Sequence, residues 1–181
     1  LGFVTASGKN LKDMCFSRAI SDSPFFNIFA TLNLSIFRKK DAESLICGLS
    51  KFGKIDLGSL KEEILSLGGY YPFFLQMACS SWYDFLEEEG EEAAGFVKKT
   101  TPRQVRDFFR EEAEPHFEYI LETLSEGERA ALKASSAIPP LNPEDTFVRE
   151  LLRKGYLMEN DEGNIQALSK EFLKFFETYQ L

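Results

Sequence analysis

The sequence predicts a mainly α chain: a helical bundle and a winged-helix module, preceded by one or two strands left from an α/β core. Three observations carry this reading. From about residue 39 onward, apolar residues recur at helical spacing behind well-marked helix starts. A short hairpin pattern separates the last two helices. The chain opens on LGFVTAS, a continuous apolar run ending in Thr5, Ala6 and Ser7, as a strand buried on both faces does.

The elements follow in order. After the opening run, TLNLSIF at residues 31–37 alternates Leu32, Leu34 and Ile36 with Asn33 and Ser35, which predicts a second strand. Two strands cannot satisfy their own edges, so this part reads as the tail of a larger sheet. Helices are predicted near 39–48, 60–67, 72–88, 102–123, 126–136, 143–154 and 169–179. Ser59 with Glu62, Thr101 with Gln104, and Ser125 with Glu128 each have capping-box spacing, and Pro102 suits a first helical position. Asn142 before Pro143, Glu144 and Asp145 marks a further start, with acids at the positive end of the dipole. Pro115 predicts a kink or break in the long fourth helix. Tyr156 to Met158 and Ile165 to Leu168 flank a turn at Asp161, Glu162 and Gly163, which predicts a hairpin. Helix, helix, hairpin, helix is the order of a winged-helix module. The predicted division is residues 1–38, 39–100 and 101–181.

Composition sets bounds on function. The 181 residues, 44% hydrophobic and 14% aromatic, suffice for a full core. No run approaches the roughly 20 apolar residues of a membrane span, and no secretory leader pattern is present, so a cytoplasmic protein without a membrane partner is expected. Cys15, Cys47 and Cys79 lie far apart in apolar runs and are read as small core residues, while a single histidine, His116, makes no ligand cluster and is expected partly buried. Charge is uneven: residues 1–61 hold nine Lys/Arg against five Asp/Glu, and residues 62–181 hold twelve against twenty-four. The helix at 143–154, which would face DNA in a winged helix, balances Glu144, Asp145 and Glu150 against Arg149, Arg153 and Lys154. Counterion release would supply little affinity there, which argues against a nucleic-acid partner.

One joint stands out. In GGYYPF, Gly68 suits the left-handed end of one helix and Pro72 the first residue of the next. The following helix carries Phe74, Leu75, Ala78, Trp82, Phe85 and Leu86 as a core stripe. Tyr70 and Tyr71 exceed what backbone geometry requires; their rings are suited to stack on a base or to close the edge of a core.

FVTAS, SPFFNIF, GGYYPFFLQMA and LSEGERAAL, followed by the hairpin, resemble in that order the second half of prokaryotic STAND-type P-loop ATPases of the AAA+ class. The resemblance implies that residues 1–38 end an α/β nucleotide-binding core, 39–100 form a helical lid, and 101–181 form a linker helix and winged-helix domain. It implies that Thr5 and Ser7, with Lys9 in place of a basic residue directly after the strand, sit near a γ-phosphate. It also implies that Gly68, Gly69, Tyr71 and Pro72 meet the adenine of ATP or ADP. No G-x-x-x-x-G-K-[ST] phosphate loop occurs in the chain, nor an apolar strand ending in paired acids, so Mg2+ and the hydrolytic groups would belong to other parts of the parent protein. The expected function is a nucleotide-switched lid and winged helix working with the nucleotide-binding core of that parent. A nucleotide-independent module that binds an unknown protein partner is the competing class.

Overall fold

The computed structural model describes residues 4, 34–52, 54–90, 101–136, 140–160 and 162–179. The chain divides into two units, residues 1–34 and 35–181, and in the first only Val4 and Leu34 are described. The strand expected at residues 1–7 lies outside the described residues except at Val4, which is exposed and not in a strand; Thr5, Ser7 and Lys9 also lie outside them.

Among the described residues the second unit is mainly helical and carries one two-stranded antiparallel sheet. Helix α1 spans Lys39–Phe52; a 3-10 turn at Gly58–Leu60 runs into α2 at Lys61–Gly68, and α3 follows at Pro72–Glu89. Next come α4 at Arg103–Thr123, α5 at Glu126–Ala134 and α6 at Thr146–Lys154. The hairpin pairs β1, Leu157–Glu159, with β2, Ile165–Ala167, in the register Leu157 opposite Ala167. Helix α7, Lys170–Thr178, closes the unit.

Several local expectations need correction. Residues 34–38 are irregular, so the strand expected over 31–37 is not formed at its described end. The Ser59 box does not form, because Ser59 lies inside the 3-10 turn and Leu60 occupies the cap without a side-chain bond. Pro102 is itself the cap of α4, leaving Thr101 outside, and Gln104 instead donates to Glu88 at 3.1 Å. Helix α6 starts three residues late: Asp145 accepts from the amides of Phe147 and Val148, while Asn142 turns the chain before it. Helix α4 is not broken at Pro115, which is exposed, so the carbonyl it leaves without a partner one turn back is on the solvent side of the helix. His116 is exposed and meets the Phe73 ring edge-on at 4.6 Å.

One apolar core runs from Ala42 to Phe172. Helix α3 lies between α2 and α4, which explains its wide buried face of Phe74, Leu75, Ala78, Cys79, Trp82, Phe85 and Leu86. Helix α7 packs against both α2 and α4. Phe117 of α4 is where these layers meet: the rings of Phe74, Phe172 and Phe175 lie 4.7, 5.1 and 5.6 Å from its own. Each such pair adds about 0.5–1.5 kcal/mol beyond area burial. Helices α3, α4 and α7 are thereby fixed to one another through aromatic contacts.

Candidate functional site

The joint between α2 and α3 is built from two glycines with different duties. Gly68 ends α2 and is fully packed; a Cβ there would come within 2.7 Å of the Phe74 carbonyl carbon. Gly69, and not Gly68 as expected, takes the positive φ, at φ 62 and ψ −148, a region open essentially to glycine alone. A Cβ on Gly69 would also overlap the Leu168 carbonyl oxygen outright. The first glycine lets α3 turn back onto α2; the second lets the joint touch the end of the hairpin.

Tyr71 caps α3 in extended conformation and Pro72 occupies its first turn, as the sequence predicts. The Tyr71 ring is half-buried: Phe74 lies 5.4 Å away, and Tyr156 is stacked at 6.4 Å with 25° between the planes. Behind it sits Gly155, the left-handed cap of α6, where a Cβ would lie 3.5 Å from the ring and 2.7 Å from Ile36 Cγ2. The Phe37 amide donates to the Tyr70 carbonyl at 2.8 Å, fastening the entering segment to the same joint. Burial pushes the Tyr156 hydroxyl up to about 12, assisted by Tyr71, Tyr119 and Glu128 nearby. It stays protonated at neutral pH.

Two buried carboxylates stiffen the helices around the joint. Glu171 of α7, 4% exposed, accepts from both Arg110 Nη2 at 2.7 Å and Nε at 3.1 Å, and from Lys174 at 2.8 Å. Arg106 Nε stands off at 3.6 Å. Glu128 completes the capping box with Ser125 and pairs with Lys154 across to α6. Burial alone would raise both carboxyls; the hydrogen bonds and charge of Lys174 and Arg110 at Glu171, and of Lys154 and Ser125 at Glu128, hold them below the ordinary value. The Cys79 thiol is pushed up to about 12 by burial, which suits an inert core residue. Among the described residues no cluster of His, Cys, Asp or Glu is arranged to hold a metal ion, and no helix is long and apolar enough to cross a membrane.

Of the residues singled out in the sequence, Gly68, Gly69, Tyr71 and Pro72 come together at this joint, while Thr5, Ser7 and Lys9 fall outside the described residues. Sequence reading missed Ile36, Gly155, Tyr156 and Leu168, which surround the joint from distant parts of the chain. Gly155 carried the one available signal, a glycine directly after the basic last turn of a helix. Two grooves, of about 290 and 530 Å³, lie away from the joint, beside Glu171 and between α5 and α6.

A family model described as Novel STAND NTPase 2 matches residues 1–139. The chain belongs to the Novel STAND NTPase 2 family. No curated protein and no solved structure matches it. Nucleotide and metal use are general properties of an NTPase family, and the GGYYP joint lies inside the matched stretch. Residues 155–169, which grip that joint, lie beyond it. In this Novel STAND NTPase 2 chain the joint is therefore packed against elements that the family match does not include.

Proposed function

We propose that the chain is the regulatory part of an ATP-binding STAND ATPase, in which residues 39–100 act as the lid and 101–181 as linker helix and winged helix. Residues 1–38 would complete the nucleotide-binding core, with Thr5, Ser7 and Lys9 toward the γ-phosphate. Gly68, Gly69 and Pro72 would face the adenine. Mg2+ and the phosphate loop would come from the upstream part of the parent protein, the partner this portion moves against. The observation that carries the reading is the joint: Gly69, expected to meet the base, lies against Leu168, and Tyr71 beside it lies against Tyr156. A base that shifts the joint would shift the C-terminal elements with it, converting nucleotide state into domain position. The helix–helix–hairpin order of residues 126–167 supports the winged-helix part of the reading. Pairing of Arg153 with Glu150 and of Lys154 with Glu128 supports a protein-facing rather than a DNA-facing role for α6.

The test is Pro72→Ala in the full-length protein. Alanine is well tolerated in a first helical turn, so the melting temperature should hold while ADP and ATP affinity falls about tenfold, equivalent to about 1.4 kcal/mol. Equal loss of binding and stability would make the joint purely structural.

A further inference from the structure

We infer that Tyr71 is a latch between the joint and the C-terminal hairpin, not a ring that stacks on a base, and that Tyr156 is the residue that positions it. The inference rests on the nucleotide-switch reading above and assigns Tyr71 a different task within it.

The surroundings of Tyr71 already engage its half-buried ring. One neighbour is Phe74, a turn onward in its own helix; another is Tyr156, nearly parallel to it at 6.4 Å. Gly155 lies against the ring edge, and its missing Cβ is what lets Tyr71 and Ile36 approach the same point. Tyr156, Phe74 and Gly155 together take up part of the half-buried ring, and the latch assigns that engaged surface to Tyr156 instead of a base. Pro72 is half-buried at the helix start.

Three separate stretches converge here. Ile36 and Phe37 belong to the segment that connects residues 1–34 to the helices, and the Phe37 amide is bonded to the Tyr70 carbonyl. Gly69 and Tyr71 belong to the joint. Gly155, Tyr156 and Leu168 belong to the C-terminal elements. In this inference ADP favours the latched position, and rotation of the joint away from it separates the Tyr71–Tyr156 rings and the Gly69–Leu168 contact together, because both contacts sit within three residues of joint backbone. The latch thus makes the two ends of the unit respond as one, through contacts that are either formed or broken.

The experiment uses the full-length protein, fluorescent ADP, and hydrogen exchange of amides 155–169 with and without ADP. Tyr71→Ala, Tyr156→Ala and the double variant should each weaken ADP by the same factor, about two- to tenfold, the range that one aromatic pair covers. All three should abolish the ADP-dependent protection of residues 155–169, and the double variant should do no more than either single one. Tyr71→Phe and Tyr156→Phe, which keep both rings, should behave as wild type. If an alanine variant fails to fold, Tyr71→Leu and Tyr156→Leu carry the same comparison. Weakening of ADP by Tyr71→Ala but not by Tyr156→Ala would overturn the latch and make Tyr71 a base-stacking ring, with the switch reading intact. Failure of the wild type to bind ADP at all would overturn both.

Discussion

The two halves of the helical unit are held together by different forces. Between residues 39 and 90 the buried polar side chain among those described is Ser81, whose hydroxyl is taken up by the Met77 carbonyl one turn back. Beyond residue 101, Glu128, Ser169 and Glu171 are all buried, and each ties one element to another or caps a helix. Apolar packing has no direction and no dependence on protonation; a buried ion pair has both. The first half is therefore fixed by shape, and the second by specific partners that can be titrated. The second kind of contact holds its elements in defined relative positions.

The largest test of this contrast is in the first half. Trp82 is fully buried, and its indole N–H has no hydrogen-bond partner, so its contribution is one of volume and contact. Trp82→Ala should lower unfolding free energy by about 3–5 kcal/mol in urea titration, and Trp82→Phe by much less. Neither should alter how stability depends on pH. A changed acid slope in Trp82→Ala would mean that the two halves are not held by separable forces.

The second half supplies the complementary effect. Glu128 and Glu171 have carboxyls held below their ordinary value in the folded chain. A depressed folded value means that the unfolded chain binds protons first, so stability is full above the ordinary carboxylate range and declines as pH falls through it toward the folded values. Thermal melts from pH 7 to pH 3 should show this decline, with hydrogen exchange rising first in α5, α6 and α7. Glu171→Gln should cost about 2 kcal/mol at pH 7, the scale of a charge-assisted hydrogen bond, and the acid slope should shrink with it. An unchanged slope in Glu171→Gln and Glu128→Gln alike would remove these pairs from the account.

The same contrast decides what the sequence made legible. Helices α1 to α7 were readable because apolar spacing and residues such as Pro72 and Ser125 act within one or two turns. The core stripe of α3 was readable for that reason too. The ion pairs were not: Arg110 lies 61 residues from Glu171, and Lys154 lies 26 from Glu128, so both acids look like ordinary solvated charges in the sequence. The joint was half legible. A helix end at the glycines and a helix start at Pro72 follow from backbone geometry, but that Gly69 and not Gly68 takes the positive φ, and the reason for Tyr71, lie at Leu168 and Tyr156, far along the chain. Family membership places the joint in a nucleotide-using context, and the fold supplies the partner that its tyrosine needs.

The smallest predicted effect compares two serines that the sequence makes equivalent. Ser59 with Glu62 and Ser125 with Glu128 share one spacing, yet only the second forms a capping box. At Ser125 the hydroxyl accepts the Glu128 amide at 3.3 Å, and Glu128 returns to the Ser125 amide at 2.9 Å. At Ser59 the backbone is already coiled in the 3-10 turn, and the local bond is Asp56 Oδ1 accepting from Gly58 at 2.8 Å. Ser125→Ala should therefore cost about 1 kcal/mol, whereas Ser59→Ala should fall within about 0.5 kcal/mol of wild type, with the two effects additive in the double variant. The difference is physical and not statistical: a hydroxyl caps a helix when its own residue is extended, and at Ser59 the preceding turn has already closed. A loss at Ser59→Ala equal to that at Ser125→Ala would mean that α2 begins at Ser59 in solution, displacing the turn that Asp56 holds.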